Sequence, residues 1–392
     1  MYVIKEDHHK LPIKIWADVE SIESECLTQA ENLANLPFAF HHIALMPDCH
    51  SGYGMPIGGV MAAIDVVVPN AVGVDIGCGM VAVKTSATEI TEDQIKKIIG
   101  KARGVIPVGF NRHKTSQWEY SEDIESLRLD AEVFELEVIN RELDSAGKSL
   151  GTLGGGNHFI EIQKGDDGHI WLMVHSGSRN LGKQVADHYN TLAIQLNEKW
   201  YSIVPKEHQL AFLPYESTEG LAYACEMGFC LKFAKANRKL MMDRLMSITD
   251  GVLGCTFSEP LDIHHNYAAL ENHFGKNVRV HRKGAIRMRE GELGIIPGSM
   301  GTPSYIVQGL GNKDSFMSAS HGAGRKMSRK KANESITEEM AQEAMKGIVF
   351  GRFNGKTDEA PQAYKDIEEV VSNELDLIKP VVKLQPLGVM KG

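Results

Sequence analysis

The 392-residue sequence contains no hydrophobic run that approaches the roughly 20 residues needed to cross a bilayer. No apolar signal-peptide core follows the charged N-terminal segment, residues 5–10. The six cysteines lack the regular spacing of a disulfide framework, which fits a reducing compartment. These absences argue against membrane and secreted proteins, and they predict a cytoplasmic protein with no membrane partner.

Positive charge is not in excess either. Lys and Arg number 42 against 51 Asp and Glu, which gives a formal net charge of −9. Affinity for phosphates normally shows as a surplus of Lys and Arg, so composition alone does not indicate a nucleic-acid binder. Binding RNA would need a local cationic surface or a metal ion. The densest positive charge, at residues 282–289 and 325–331, predicts two such surfaces.

Common nucleotide-binding signatures are missing. There is no GxxxxGK[ST] loop, and the glycine run at residues 154–156 lacks the GxGxxG spacing of a dinucleotide-binding turn. Helical periodicity predicts helices at 91–103, 121–140, 216–248, 335–348 and 361–378. Runs rich in Val and Ile, among them 72–85, predict strands between them. Their irregular order favours a mixed α+β domain over a doubly wound parallel sheet.

Glycine, by contrast, is abundant: its 38 residues are about 10% of the chain, against about 7% in average proteins. Glycine beside a polar residue lets the backbone approach a ligand closely and offers N–H groups to an anion. Many of these glycines stand beside His, Asp or Cys in short polar segments, namely 46–54, 73–79, 154–161, 175–179, 262–266, 297–301 and 320–325. This pattern favours one ligand site built from several loops.

Asp75 and Cys78 lie three residues apart in a turn bounded by glycines, so both side chains can converge on one point. A carboxylate and a thiolate suit Mn²⁺ or Zn²⁺, and a thiolate can bridge two ions. A turn-capping aspartate beside a buried cysteine would give the same pattern, and the spacing leaves both interpretations open. Asp48 and His50 are further candidates for the wall of the site.

Several histidines share this setting. His158 and His175 each lie at a predicted strand end beside glycines. His264 and His265 are adjacent, so only one of them is expected to reach a given metal. His321 begins a loop of small residues that can wrap a phosphate. Each histidine alone also fits a structural role, but together with Asp75 and Cys78 they indicate a metal and phosphate site.

Six segments, in this order along the chain, resemble the RtcB family of GTP-dependent RNA ligases, which splice tRNA and repair RNA: 73–79, 156–161, 175–179, 264–266, 297–300 and 320–325. The resemblance extends from residue 42 to residue 392. It implies a single α+β domain over residues 1–392, with twisted β-sheets and peripheral helices around a deep metal-lined cleft. The long helical pattern at about 216–248 separately predicts an insertion packed on that domain.

The resemblance also implies site roles. Cys78 would bridge two Mn²⁺ ions, with Asp75 and His158 completing one site and His175 and His265 the other. His321 would be the catalytic residue that becomes guanylylated, Lys391 would read the guanine base, and Arg179 and Arg325 would contact phosphate or RNA. The positions implied to bind GTP are Asn157, His158, Phe159, Ile160, Glu161, His265, Asn266, Pro297, Gly298, Ser299, Met300, Ser304, His321, Gly322, Ala323, Gly324 and Lys391.

The implied activity joins RNA 3′-phosphate or 2′,3′-cyclic-phosphate ends to 5′-hydroxyl ends. It proceeds through a histidine–GMP intermediate and an activated RNA 3′-pp-5′-G end. GTP and two Mn²⁺ ions are the implied cofactors, and RNA and an archease-type activator the implied partners. A dinuclear metallo-phosphoesterase that does not use GTP, or a non-catalytic metal- or nucleotide-binding protein, would use the same metal ligands.

The sequence departs from the family pattern at a few loop positions. Asn180 stands where the family often has glycine, Cys49 stands where valine is common, and Pro303 follows Gly-Thr in the predicted phosphate loop. The metal-binding segments themselves are intact.

Overall fold

Two large β-sheets carry the residues that the sequence singles out. The structure is a computed structural model that describes residues 1–133, 135–353 and 355–392. Its strands are β1 (Tyr2–Ile4), β2 (Ile13–Ile15), β3 (Ala39–His50), β4 (Ile57–Ala63), β5 (Val66–Val67), β6 (Gly79–Lys84), β7 (Phe159–Gly165), β8 (Ile170–Ser176), β9 (Leu213–Pro214), β10 (Leu261–His264), β11 (Asn266–His273), β12 (Lys276–Lys283), β13 (Ala285–Arg287), β14 (Leu293–Ile296), β15 (Ser304–Gly309), β16 (Ser318–Ser320) and β17 (Ile378–Lys391).

Helices pack around these sheets. They are α1 (Ser24–Ala34), α2 (Glu92–Val105), α3 (Glu122–Val133), α4 (Glu137–Ser149), α5 (Leu181–Lys199), α6 (Thr218–Leu253), α7 (Arg329–Ser335), α8 (Glu338–Glu343) and α9 (Ile367–Ser372). None of the helices in the described ranges is long and apolar enough to cross a membrane.

The strand order confirms the predicted α+β class. One sheet has six strands in the order β1-β2-β3-β4-β12-β11, and the other has seven in the order β10-β6-β8-β7-β17-β15-β14. Neighbouring strands are antiparallel in both sheets except for the parallel pair β2 and β3. Two short pairs, β13 with β16 and β5 with β9, complete the described strands.

The seven-stranded sheet explains why distant residues meet. Strands β10, β6, β8 and β7 are neighbours, and each runs antiparallel to the next. The starts of β6 and β7 therefore lie at the same edge as the ends of β8 and β10. Cys78 and His158 immediately precede the two starts, and His175 and His265 stand at the two ends. Four predicted metal ligands therefore lie together at one end of these four strands.

Two helix predictions are confirmed. Helix α2 begins after Thr91, whose hydroxyl accepts the Gln94 N–H at 3.3 Å while the Gln94 side chain accepts the Thr91 N–H at 2.8 Å. This reciprocal cap satisfies two backbone donors that a helix start leaves free. The periodic stretch 216–248 is one uninterrupted helix, α6, which packs on the seven-stranded sheet and on α2 and α5.

Other boundaries were wrong. The stretch 121–140 is two helices, and Glu135 between them has a left-handed φ of 48° that breaks the helical path. Ser335 ends α7 instead of beginning a helix, since Thr337 supplies the cap of α8. The stretch 361–378 is not one helix: it holds a 3₁₀ helix at Pro361–Ala363 and the six-residue α9. The strand predicted at 72–85 begins only at Gly79, because the preceding residues form the loop that carries Asp75 and Cys78.

Candidate active site and metal centre

The Cys78 sulfur is the point on which the predicted metal ligands converge. Its Sγ lies 3.4 Å from His158 Nε2 and 3.3 Å from His175 Nε2. His158 Nε2 is in turn 3.3 Å from Asp75 Oδ2. Two groups have their ligand atoms within 4.8 Å of one another, Asp75–Cys78–His158 and Cys78–His175–His265. Cys78 belongs to both groups, so the two share its sulfur, a ligand type that divalent metals accept.

The imidazoles are oriented with a free nitrogen toward this point. His158 Nδ1 lies 2.9 Å from the Leu153 carbonyl oxygen, and His175 Nδ1 lies 3.1 Å from that of Asn157. A carbonyl only accepts, so each Nδ1 carries the proton and each Nε2 offers a lone pair. Backbone carbonyls orient metal-binding histidines in the same way elsewhere.

His265 completes the second group, as the adjacency argument predicted for one member of the 264–265 pair. The His264 ring instead packs edge-on against Tyr267, with ring centroids 4.4 Å apart. His265 is buried, and its Nδ1 finds no hydrogen-bond partner among the described residues. A buried ring nitrogen without a partner is costly unless a cation binds it. The donor set therefore fits a divalent metal centre.

Burial sets the protonation states in this centre. It lowers the pKa of His175 and of His265 well below the usual range, so both rings are neutral, the form that binds metals. Burial raises the pKa of the Cys78 thiol, with Asp75 adding to the effect. Burial also acts to raise the pKa of Asp75, but the contacts with His158 and the charge of Arg179 outweigh it and bring the pKa to about 2.

A second histidine group, near the N-terminus, does not direct its ring lone pairs toward a common point. His8, His9 and Glu31 also bring three ligand atoms within 4.8 Å of one another. The Glu6 N–H donates to His9 Nδ1 at 3.3 Å, so that nitrogen holds the lone pair and Nε2 keeps the proton. His9 therefore offers no lone pair toward Glu31, and the group is not a comparable metal site.

His321 lies next to the centre and is held by Asp48. The two ring centroids of His321 and His265 are 4.8 Å apart. His321 Nδ1 donates to Asp48 Oδ2 at 2.6 Å, and the His321 backbone N–H donates to the same oxygen at 3.2 Å. The Asp48 side chain is fully buried, whereas 15% of the His321 side chain is exposed. The carboxylate fixes the tautomer that leaves His321 Nε2 with a lone pair.

Two loops enclose this histidine. Ala323 N–H donates to the Pro297 carbonyl at 2.9 Å, which joins the loop after β16 to the turn after β14. Gly324 has a φ of 70°, and a Cβ there would lie 2.3 Å from the Asp48 carbonyl oxygen. Only glycine fits this close approach. Gly298 has the same role in the turn, where a Cβ would lie 2.1 Å from the carbonyl oxygen of Pro303.

Some residues of the predicted nucleotide site line the main cleft, and others lie in the protein interior. Met300 and Lys391 line the main cleft, whereas Ile160 belongs to a hydrophobic core cluster. Burial raises the pKa of Glu161 to about 8, against the opposing charge of Lys391. Burial lowers the pKa of Lys391, whose Nζ lies 3.3 Å from Glu359 Oε2.

Asn266, Ser299 and Ser304 hold the local backbone together. Asn266 donates to the Asp75 carbonyl at 3.0 Å and accepts the Gly284 N–H at 2.8 Å. The Ser299 hydroxyl pairs with Thr302, and the Ser304 hydroxyl accepts from Gln163 and from the Gly298 N–H. The remaining predicted positions, Asn157, Phe159 and Gly322, belong to the segments that lead into or out of the same strand ends and loops.

Helix α6 supplies two supporting residues that sequence reasoning missed. Buried Arg238 pairs with Asp262 through two 2.8 Å contacts and donates to the carbonyls of Gly77 and Ser176. Its neighbour Asn237 accepts from the backbone at 151–152 and donates to the backbone at 177. These bonds tie the Cys78 loop to the end of β8. Arg238 is one of several charged residues in α6, so residue spacing alone did not single it out.

The main cleft is cationic although the chain is acidic. Its volume is about 1620 Å³, and Asp75 of the metal centre lies on its wall. Nine Lys or Arg residues line it against three Asp or Glu. The nine are Lys96, Arg103, Arg112, Arg179, Lys183, Arg329, Arg352, Lys356 and Lys391. Positive charge is therefore concentrated where the metal centre opens to solvent.

This distribution corrects one of the predicted cationic surfaces. Arg282, in the segment 282–289, is fully buried and pairs with Glu271 at 2.5 Å, so it contributes no surface charge. Arg325 contacts Glu359 and backbone carbonyls and stands outside the cleft lining, whereas Arg329 is on it. Arg179 also lines the cleft, where its guanidinium lies against the bare Cα of Gly154.

Comparison with known proteins bears directly on this arrangement. The family model described as tRNA-splicing ligase RtcB matches residues 29–392. The chain belongs to the RtcB family. It is 36% identical to the RNA-splicing ligase RtcB of Escherichia coli strain K12, with 97% of each chain covered. It is 32% identical to the tRNA-splicing ligase RtcB of Nanoarchaeum equitans, with 99% of this chain and 97% of that one covered.

Further RtcB relatives show the same extent of similarity. The RNA-splicing ligase RtcB of Mycobacterium tuberculosis is 31% identical, with 93% of this chain and all of that one covered. The backbone conformation accounts for one departure from the family pattern. Asn180, where RtcB proteins often have glycine, has a φ of 73° at the start of α5. Asparagine tolerates this left-handed conformation better than most residues, so the loop keeps its path.

Proposed function

We propose that this protein is a GTP- and Mn²⁺-dependent RNA ligase, built as one domain over residues 1–392, that joins 3′-phosphate or 2′,3′-cyclic-phosphate ends to 5′-hydroxyl ends. The observation that carries the proposal is the Asp48–His321 pair standing beside a Cys78-centred set of metal ligands. Membership in the RtcB family supports RNA as the substrate.

The metal ligands would divide into two sets around Cys78. Asp75 and His158 would hold one Mn²⁺ with it, and His175 and His265 the other. Two bound cations would neutralise charge on a transferring phosphoryl group. They would also offset part of the negative charge of the chain where substrate phosphates must lie.

His321 would act as the nucleophile. Its Nε2 attacks the α-phosphorus of GTP, the bond to the bridging oxygen breaks, and pyrophosphate leaves. Asp48 keeps the proton on Nδ1 and stabilises the imidazolium that forms. The resulting N–P bond preserves the transfer potential of the GMP group, which a serine ester would not do as well.

RNA would then take the GMP. A cyclic end is first opened by water to a 3′-phosphate, and an oxygen of that phosphate attacks the phosphorus bound to His321. The N–P bond breaks, its electron pair returns to Nε2, and the RNA carries a 3′-pp-5′-G end. The 5′-hydroxyl of the second RNA attacks the 3′-phosphorus and loses its proton as GMP leaves. Lys391 and the loops around His321 would bind the guanine nucleotide throughout.

The proposal is tested by ligation with purified protein. An RNA with a 3′-phosphate and an RNA with a 5′-hydroxyl are incubated with each nucleoside triphosphate and with Mn²⁺, Mg²⁺ or Zn²⁺, with and without an archease-type protein. We expect a joined product with GTP and Mn²⁺. Release of phosphate without GTP would instead identify a phosphoesterase, and binding with neither product would identify a non-catalytic protein.

Asp48→Asn should slow guanylylation of His321 by about 100-fold or more, because a carboxylate that fixes a catalytic histidine tautomer is worth up to about 10⁴-fold in rate. The amide can turn its NH₂ toward Nδ1, which would move the ring proton to the attacking nitrogen. Single-turnover transfer of labelled GMP measures the effect. Asp314→Asn, which removes a partly exposed carboxylate paired with Lys14, is the control. A rate within threefold of wild type for Asp48→Asn would refute this role.

A further inference from the structure

The aromatic side chain of Phe110 is fully exposed to solvent. Its relative exposure is 104%, the highest among large hydrophobic side chains in the described part of the chain. The residue lines the same cleft as Asp75 and Lys391. A single exposed hydrophobic residue on an open surface is ordinary, but a bare ring on the wall of a cationic cleft offers a flat face to a ligand.

The loop that carries the ring is tied to the metal centre. Gly109 N–H donates to the Gly154 carbonyl at 2.9 Å, and Arg179 donates to the Gly109 carbonyl at 3.3 Å. The Asn111 N–H closes the turn onto the Val108 carbonyl at 3.2 Å. The turn that carries the Phe110 ring is therefore hydrogen-bonded to Gly154 and Arg179. These two residues lie close in sequence to His158 and His175.

Several cationic side chains line the same cleft as Phe110. Arg103 and Lys96 come from α2, Arg112 from the loop of Phe110, and Arg352 from the segment after α8. With a volume of about 1620 Å³ the cleft exceeds the roughly 300–1,000 Å³ of a small-molecule site, so it has room for more than a nucleoside triphosphate. Phosphate-binding cations beside an aromatic face are the two components of single-strand nucleic-acid sites.

We propose that this cleft binds unpaired RNA, with one nucleobase stacked on Phe110 and phosphates of the same strand held by Arg103, Arg112 and Arg352. A base can present its face to a side chain only when it is not stacked within a duplex. The enzyme would therefore select RNA ends that carry a single-stranded overhang. This inference rests on the proposed ligase function and adds a substrate preference to it.

Binding of RNA, measured apart from chemistry, tests the inference. Phe110→Ala should weaken the affinity for a 3′-phosphorylated single-stranded RNA by about 5- to 100-fold, the range that base stacking on an aromatic side chain provides. Phe110→Leu should be as weak, because it keeps apolar bulk without a ring, and Phe110→Trp should stay within about threefold of wild type. Tyr201→Ala, which removes an aromatic side chain 91% exposed outside the cleft lining, is the matched control.

Two further readouts separate the possible failures. Fluorescence of 2-aminopurine near the RNA 3′ end should be quenched by wild type and not by Phe110→Leu. Guanylylation by GTP alone should be equal in wild type and all four variants. Its absence from wild type would count against the ligase function itself, whereas its loss in the Phe110 variants alone would overturn the assignment of Phe110 to RNA. Wild-type affinity in Phe110→Ala, or an equal loss for blunt duplex and single-stranded RNA, would overturn the inference.

Discussion

Replacing His321 with alanine is expected to abolish transfer of GMP to the protein and to reduce RNA joining by at least about 10³-fold. The alanine side chain has no atom that can attack the α-phosphorus of GTP. The ligands around Cys78 stay in place, because His321 is held by Asp48 and by its own loop and belongs to neither ligand group. The variant should therefore retain both metal ions while losing the chemistry.

Denaturing gels after incubation with α-labelled GTP and Mn²⁺ measure the adduct, and metal analysis after gel filtration counts the ions. His8→Ala, which removes an exposed histidine near the N-terminus, should label like wild type. A pre-activated RNA with a 3′-pp-5′-G end should still be joined by His321→Ala, since that step bypasses the histidine. A labelled His321→Ala protein would show that another residue is the nucleophile.

Cys78→Ala is expected to remove both metal ions together. Its sulfur is common to the two ligand groups, and it is 3.3–3.4 Å from the ring nitrogens of His158 and His175. Loss of residues that only support a ligand weakens metal binding 10- to 100-fold, so loss of the shared ligand should weaken Mn²⁺ affinity by about 100-fold or more. Guanylylation and ligation should both disappear.

Calorimetric titration of the metal-free protein with Mn²⁺ gives the stoichiometry. Wild type should bind two ions, and Mn²⁺ should raise its Tm because the ions bind only the folded state. For Cys78→Ala we expect neither binding nor the rise in Tm. Cys225→Ala, at an exposed cysteine, should behave like wild type. A Cys78→Ala protein that keeps one tightly bound Mn²⁺ would contradict a shared thiolate.

That these residues would cluster was predictable because their signals are local. Glycine beside Asp75, Cys78, His158 or His175 marks loops at strand ends, and the order of these motifs along the chain resembles one family. Family and α+β class were both confirmed. The roles of these residues remain predictions, although the fold brings the predicted ligand atoms to within 4.8 Å of one another in two groups.

The contacts that position the site were not predictable from one sequence. Asp48 and His321 are 273 residues apart and meet only because β3 and the loop after β16 pack together. Arg238 is one of several charged residues along α6, yet it is fully buried and donates to the Gly77 carbonyl in the Cys78 loop. Such pairings depend on tertiary packing, which residue spacing does not encode.

The predicted cationic surface at 282–289 was wrong for a similar reason. One of the two dense runs of Lys and Arg, at 282–289, includes Arg282 in a buried ion pair, while the cationic side chains of the cleft come from many separate segments. Charge that is scattered in sequence becomes a cluster only after folding. The net charge of −9 therefore said little about whether the protein handles RNA.

Locating the covalent GMP adduct tests the proposed function most directly. Wild-type protein is incubated with GTP and Mn²⁺ without RNA, quenched at alkaline pH, digested and mapped by tandem mass spectrometry. We predict GMP on the peptide that contains His321, attached to the imidazole and removed by mild acid as expected for an N–P bond. An adduct on any other residue, or none while RNA is still joined, would contradict a His321–GMP intermediate.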